Sequence, residues 1–252
     1  MVESLLLAAV GGILIGMLLT VFGGGGSVLA TPWLIYIVGV ADTHVAIGTS
    51  AAAVAVNAMI GLFAQARAGT VKWPCATIFA LAGLIGALGG ASLARSVDGD
   101  TLLHWFALAM ISIALSMLIP RKSTGDPLVH FTPAMMWKLA PVGLAAGFAA
   151  GFFGIGGGFL IAPGLMASTG MTLANASASS LVSVTLFGSA TSASYALAGQ
   201  VAWPLFGALV AGGALGALIG LPVSRWLASR VVVARLGFAA MVIAVAIYIL
   251  VR

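Results

Sequence analysis

The sequence predicts an all-α integral membrane protein made of two inverted five-segment repeats, each a glycine-broken helical hairpin followed by three transmembrane helices. Three observations predict this class. The first is composition: of 252 residues, 62% are hydrophobic and only 6% are charged. A soluble domain carries about 25% charged residues, so five acids and ten bases cannot solvate a globule of this size. The second is a pair of contiguous glycine clusters, each followed by an unusually short apolar stretch. The third is an internal duplication.

Apolar stretches run roughly over 5–22, 28–39, 43–66, 73–94, 101–119, 139–153, 159–170, 173–198, 203–221 and 232–251. A membrane helix needs about 20 mostly apolar residues. The stretches 28–39 and 159–170 hold about 12 residues and reach about 18 Å, half a membrane. They follow Gly23-Gly24-Gly25-Gly26-Ser27 and Gly154-Ile155-Gly156-Gly157-Gly158. Ser27 is the expected N-cap of the helix that begins at Val28. The longest polar interval, Pro120 to Lys138, contains Arg121, Lys122, Ser123, Thr124, Gly125, Asp126 and Pro127. Its turn formers and charges mark a linker. The chain therefore divides into a first transmembrane repeat (1–120), a cytoplasmic linker (121–138) and a second repeat (139–252).

The halves align under a shift of 131 residues: Phe22-Gly23 falls on Phe153-Gly154, Gly25 and Gly26 on Gly156 and Gly157, Leu29 on Leu160, and Pro32 on Pro163. With one residue of slack, Ala68-Gly69-Thr70-Val71-Lys72-Trp73-Pro74 falls on Ala198-Gly199-Gln200-Val201-Ala202-Trp203-Pro204. A repeat at fixed spacing is a statement about architecture. Cytoplasmic loops collect Lys and Arg. Arg67 and Lys72 have no charged counterpart in the second half, whereas the interval with Arg95, Asp98 and Asp100 is matched by Arg225, Arg230 and Arg235. The bias flips, so the repeats are read as inverted, with five passes each and both termini outward. Arg95, Arg252, Glu3, Asp42, Asp98 and Asp100 then lie on the outer side. Four passes per repeat, with each broken segment a single kinked helix, would give parallel repeats and fits the charges less well.

Other classes are excluded by what is missing. The bases are scattered, which argues against nucleic acid as a partner. One cysteine, Cys75, rules out a disulfide framework. No His, Cys, Asp or Glu cluster has metal spacing, no cofactor motif survives inspection, and no titratable residues gather at depth for an enzyme. A phosphate loop at Gly23–Ser27 fails because no Lys precedes Ser27. His44 is read as a boundary residue, Asp42 as a helix cap, and the six tryptophans mostly as an aromatic belt. The pairs Gly12/Gly16 and Gly86/Gly90, and the series Gly143/Gly147/Gly151 and Gly212/Gly216/Gly220, are read as close-packing positions.

The two clusters carry the functional expectation. Irregular backbone survives in a bilayer only when buried in protein or lining a cavity. A helix N-terminus offers free amides and about half a positive charge, which suits an anion. The candidate substrate-binding residues are Gly23, Gly24, Gly25, Gly26, Ser27, Gly154, Gly156, Gly157 and Gly158, with Thr49, Ser50, Asn57, Ser179 and Ser180 as side-chain donors. Thr49 and Ser180 are read as matching positions of the repeat.

Phe22-Gly23-Gly24-Gly25-Gly26-Ser27 with Pro32, and Gly151-Phe152-Phe153-Gly154-Ile155-Gly156-Gly157-Gly158 with Pro163, resemble the duplicated signature of the sulfite exporter TauE/SafE family, also called the sulfonate uptake permease family. Gly24 is matched by Ile155 and Ser27 by Gly158, so the two clusters are not chemically equal. The resemblance implies a multi-pass secondary transporter of the bacterial inner membrane that moves small sulfur-containing or organic anions such as sulfite, sulfonates or sulfoacetate. Alternating access with a lean toward export is the expected mode; an anion channel or an uptake permease for the same solutes is the alternative. The expected partners are the lipid bilayer and a small anion, and a homo-oligomer is left open.

Overall fold

The computed structural model describes residues 2–118, 126, 132–154, 158–228 and 231–251. These form helices and no strand: α1 Val2–Phe22, a 3-10 helix Gly23–Leu29, α2 Ala30–Tyr36, α3 Thr43–Arg67, α4 Trp73–Ala94, α5 Gly99–Leu118, α6 Pro133–Phe153, α7 Gly158–Thr169, α8 Leu173–Leu197, α9 Trp203–Ala228 and α10 Val231–Val251. Five helices among the described residues are long and apolar enough to cross a membrane: Val2–Phe22, Thr43–Arg67, Trp73–Ala94, Met135–Phe153 and Trp203–Gly220. Large apolar side chains such as Phe63, Leu81, Ile85 and Leu218 are exposed, as a lipid-facing surface requires.

The expected spans and the observed helices largely agree, but α2 fills only Ala30–Tyr36 of 28–39 and α9 runs past 221 to Ala228. α6 starts at Pro133, inside the segment read as linker. Thr132 is extended (φ −119, ψ 144) and Pro133 opens the helix, because proline at the first helical position gives up an amide that has no partner there anyway. Asp126 reaches the end of α7, where its amide donates to Gly170 O at 2.9 Å.

Both glycine-broken segments double back. Trp33 Nε1 donates to Leu7 O at 2.9 Å across 26 residues. An uninterrupted helix would hold these residues about 39 Å apart, so α2 returns along α1. A Cβ at Gly164 would lie 3.1 Å from Val142 Cγ1, so α7 returns along α6 in the same way. The two contacts exchange partners. Gly11 faces the Trp33 indole in the first hairpin, and Val142 faces Gly164 in the second: large and small residues swap sides. Trp33 is thus a strut of the hairpin and not a member of the aromatic belt.

The first break differs from expectation in its local form. Ser27 lies inside the 3-10 helix, and α2 is preceded by Leu29, which makes no side-chain cap. Residues without Cβ tolerate the tight 3-10 winding, so i→i+3 bonding continues through the reversal and fewer amides are left over than an unwound turn would leave. Left-handed glycines repeat between the halves as well: Gly39 (φ 83) with Gly170 (φ 73), and Gly69 (φ 70) with Gly199 (φ 73).

α3 and α8 form the centre. Ala46 to Ala55 of α3 and Ala178 to Val184 of α8 are buried without interruption. A helix buried on all sides needs small residues, and apart from Ile47 and Leu181 these stretches are built of Ala, Ser, Thr, Gly and Val. Their hydroxyls lower the hydropathy of α8, which explains its absence from the apolar spans; protein, not lipid, surrounds it. The two cross antiparallel, since Gly48 meets Tyr195, Gly188 meets Ala55, and Gly61 meets Leu181.

The outer pairs are parallel and exchange between the halves. α1 packs on α9 through Ala9–Gly212, Ile13–Gly216 and Met17–Gly220; α4 packs on α6 through Phe79–Gly143, Gly83–Gly147 and Ala87–Gly151. A Cβ at Gly16 would run into the Gly213 carbonyl, and one at Gly147 into the Gly83 carbonyl. These glycines let backbones touch, which replaces the missing hydrophobic drive between helices in lipid with van der Waals contact. The close-packing series foreseen from sequence are all at such crossings. α5 pairs with α10 through a second buried cluster that includes Phe106, Met110, Val242 and Ile249.

Gly147→Leu is expected to lower stability by about 1–3 kcal/mol or more through overpacking. Gly89→Ala, where a Cβ meets nothing within 4 Å, is expected to leave it unchanged or slightly raised. Thermal unfolding of the purified protein in detergent compares the two.

Candidate functional site

The 3-10 helix of the first half packs on α7, and also touches α8 and α3. This sets the first break against the helix that follows the second. α7 starts at Gly158 and has 12 residues, and a helix of that length presents its dipole and its first amides at its start. Gly154, left-handed at φ 67, ends α6, and its amide bonds to Gly151 O at 3.3 Å. A Cβ there would collide with Ile47 Cγ2, and a Cβ on Gly26 would collide with the α1 backbone at Leu18 and Leu19. Glycine is therefore a steric requirement at both places. Gly23, Gly24 and Gly25 form the first part of the 3-10 helix. Gly156 and Gly157 lie outside the described residues.

The side-chain candidates separate into three groups. Thr49 and Ser179, both fully buried, hold loops. Thr49 Oγ1 accepts from the Ala202 amide and Ser179 Oγ from the Lys72 amide, each at 2.9 Å. Those amides belong to the residues just before Trp203-Pro204 and Trp73-Pro74, where α9 and α4 begin. The bonds are equivalent under a shift of 130 residues, so Thr49 pairs with Ser179, not with Ser180 as the 131-residue register had it. The cause is the residue of slack, which falls ahead of α3 and not after it.

Ser50 and Ser180 form the second group. Each donates back to a carbonyl three residues earlier, Ser50 to Ile47 O at 3.0 Å and Ser180 to Ser177 O at 2.8 Å. Ser50 Oγ also meets Thr31 Oγ1 of α2 at 2.8 Å, with both residues at most 1% exposed. Thr31 ties the first hairpin to α3, and its counterpart Ala162 has no hydroxyl. Ser27 is fully buried in the adjacent turn. Thr31 was not foreseen from sequence. It lies next to Pro32, one residue into a helix whose start was placed two residues too early.

Asn57 stands apart. It is 4% exposed on α3, two turns beyond Ser50, and its Nδ2 donates to Leu209 O of α9 at 3.4 Å. Its carboxamide fills the space over Gly213, and the equivalent Phe187 fills the space over Gly83. Asn57 therefore sits at a helix crossing, with Oδ1 lacking a hydrogen-bond partner. Among the described residues no three His, Cys, Asp or Glu are grouped to hold a metal. Asp42 caps α3 as expected, with Oδ1 accepting from the amides of His44 at 2.8 Å and Val45 at 3.2 Å.

Apolar spanning helices around two re-entrant hairpins, with a hydroxyl-lined centre, define a multi-pass membrane protein of the transporter class. The chain belongs to the TauE/SafE sulfite exporter family, whose model matches residues 8–249. It is 44% identical over 253 residues to a Xylella fastidiosa (strain 9a5c) protein named "Probable membrane transporter protein", covering 100% of this chain and 97% of that one. It is 27% identical over 251 residues to Bacillus subtilis (strain 168) "Probable membrane transporter protein YunE", covering 91% and 92%. No solved structure matches the chain. The protein is a membrane transporter and not an enzyme.

Thr49→Val and Ser179→Ala each take the partner from the amide of a half-buried residue, at a cost of up to about 1–3 kcal/mol. Thr49→Ser keeps the acceptor and is expected to fall within about 1 kcal/mol of wild type, short of the full loss. Unfolding midpoints in detergent check the order wild type, Thr49→Ser, Thr49→Val.

Proposed function

We propose that the protein is a secondary transporter of small sulfur-containing or organic anions, of the sulfite or sulfonate type, in the bacterial inner membrane. The observation that carries this reading is the meeting of the 3-10 helix with α7. One anion sits between them, held by the first amides of α7, from Gly158 on, and by those of the Gly23 to Ser27 cluster that the 3-10 winding leaves over. Ser50 and Ser180 line the same region through their hydroxyls. Thr49, Ser179 and Asn57 act behind them, setting the positions of α9 and α4. Helix starts that point at an anion at mid-depth are how broken-helix transporters hold one without a buried cation.

Inversion of the two repeats is supported by the antiparallel crossing of the equivalent helices α3 and α8. It is also supported by the exchange of α1 with α9 and of α6 with α4. In an inverted pair one hairpin rocks against the other and opens the site to alternate sides. The linker 121–138 then faces the cytoplasm and both termini face outward. A negative-inside potential drives a monovalent anion out by about 2.3 kcal/mol per 100 mV, so export needs no coupling ion. The spans offer no deep carboxylate to carry a proton inward.

Proteoliposomes loaded with labelled sulfite are expected to release it, and external unlabelled sulfite is expected to accelerate release by exchange. Gly25→Leu and Gly156→Leu are expected to reduce the flux at least tenfold. Flux that persists in both variants, or release that external sulfite does not accelerate, contradicts a carrier built on the two clusters.

A further inference from the structure

Four buried polar atoms without hydrogen-bond partners, His44 Nδ1, Thr191 Oγ1, Tyr195 Oη and Gln200 Oε1, belong to one corner at the start of α3 and the end of α8. The His44 and Tyr195 rings stack with centroids 6.1 Å apart and planes at 28°. One turn along α3 from His44, a Cβ on Gly48 would touch Gln200 O and, at 2.8 Å, Tyr195 Cβ. Thr191 is one turn before Tyr195 on the same face of α8, and both are fully buried.

The other half contains the same turn in closed form. Gln65 and Thr70 stand where Tyr195 and Gln200 stand, and the backbone bonds coincide: Thr70 N to Gln65 O at 3.3 Å, Gln200 N to Tyr195 O at 2.9 Å. There the side chains satisfy each other, with Thr70 Oγ1 donating to Gln65 Oε1 at 2.8 Å, and glycine (Gly61) replaces Thr191. One fold thus carries a self-satisfied corner in its first half and an unsatisfied one in its second. Leaving a buried polar group unpaired costs about 1–3 kcal/mol, so the second corner is built for something that pairs with it.

The donors define what that is. Tyr195 and Thr191 offer hydroxyl protons, imidazole Nδ1 donates in one tautomer, and the Gln200 amide presents its NH2 by rotation. Arg95, whose Nη1 donates to Ser194 O at 3.4 Å, adds positive charge at the exposed rim. Two of the carboxylates at this end are turned to helix caps, Asp42 to the amides of His44 and Val45 and Asp98 to those of Asp100 and Thr101, and Asp100 is exposed. Hydroxyls, an amide and a guanidinium together fit a small oxyanion. The corner also adjoins the second glycine break, because Ile47 touches Gly154 and shares a buried cluster with Tyr195.

We propose that Thr191, Tyr195, Gln200 and His44 form a second, peripheral site for a small oxyanion, occupied between the central site and the membrane face that carries Arg95. This rests on the central reading above. The test is sulfite counterflow in oriented proteoliposomes, varying sulfite on the Arg95 side and then on the other. Tyr195→Phe and Thr191→Val remove only a hydroxyl. Each is expected to raise the half-saturating concentration on the Arg95 side about tenfold, as loss of one hydrogen bond to a charged group does, and to leave the other side unchanged. The unfolding midpoint is expected to stay level or rise, because an unpaired buried hydroxyl is gone; a merely structural role would lower it. Wild-type counterflow with both variants unshifted on the Arg95 side overturns the peripheral site alone. Absence of wild-type counterflow overturns the central reading and this site with it.

Discussion

Two hydrogen bonds fix the arrangement on which everything else depends: the Ala202 amide to Thr49 Oγ1 and the Lys72 amide to Ser179 Oγ. Each ties the residue just before α9 or α4 to the second turn of a central helix from the opposite half. They lock the crossing of α3 and α8, and so decide where the hairpins that rest on those helices meet. Both hydroxyls are fully buried, so replacing either one takes the partner from an amide at the edge of the packed centre. The glycine seams between α1 and α9 and between α4 and α6 then close the outside by bringing carbonyls against Cα atoms. Hydroxyl and glycine do in this protein what large apolar side chains do in a soluble core.

The near-symmetry makes its departures informative. Trp33 against Gly11 becomes Gly164 against Val142, which swaps the larger residue to the other helix and replaces an indole that donates to Leu7 O with a smaller side chain that cannot. Asn57 against Gly213 becomes Phe187 against Gly83, which places a polar group at only one of two equivalent crossings. Thr31, which pins the first hairpin to α3 through Ser50, has no hydroxyl counterpart at Ala162. The halves share a scaffold and differ in the side chains that hold it.

Much of this was legible in the amino-acid order because membrane helices are long, apolar and bounded by Trp-Pro or glycine. The spans, the duplication, the hairpins and the packing glycines all leave marks at fixed spacing. What was not legible depends on small shifts in register. A residue of slack decides whether Thr49 matches Ser179 or Ser180, and hydropathy does not see it. Glycine runs signal a reversal but not its winding, so Ser27 was read as a cap when it lies within a 3-10 turn. Thr132-Pro133 is a helix start inside a polar stretch, masked by the charges before it. Thr31 and the Tyr195 corner escaped notice because a lone hydroxyl or phenol among apolar residues looks like ordinary core until its partner, or the lack of one, is seen.

The central claim is a single anion site shared by both halves, and calorimetric titration of the purified protein with sulfite addresses it most directly. The account predicts a central binding event weakened by Ser50→Ala and by Ser180→Ala alike, and separable from binding at the Tyr195 corner. Full central binding retained when either serine is altered would contradict it.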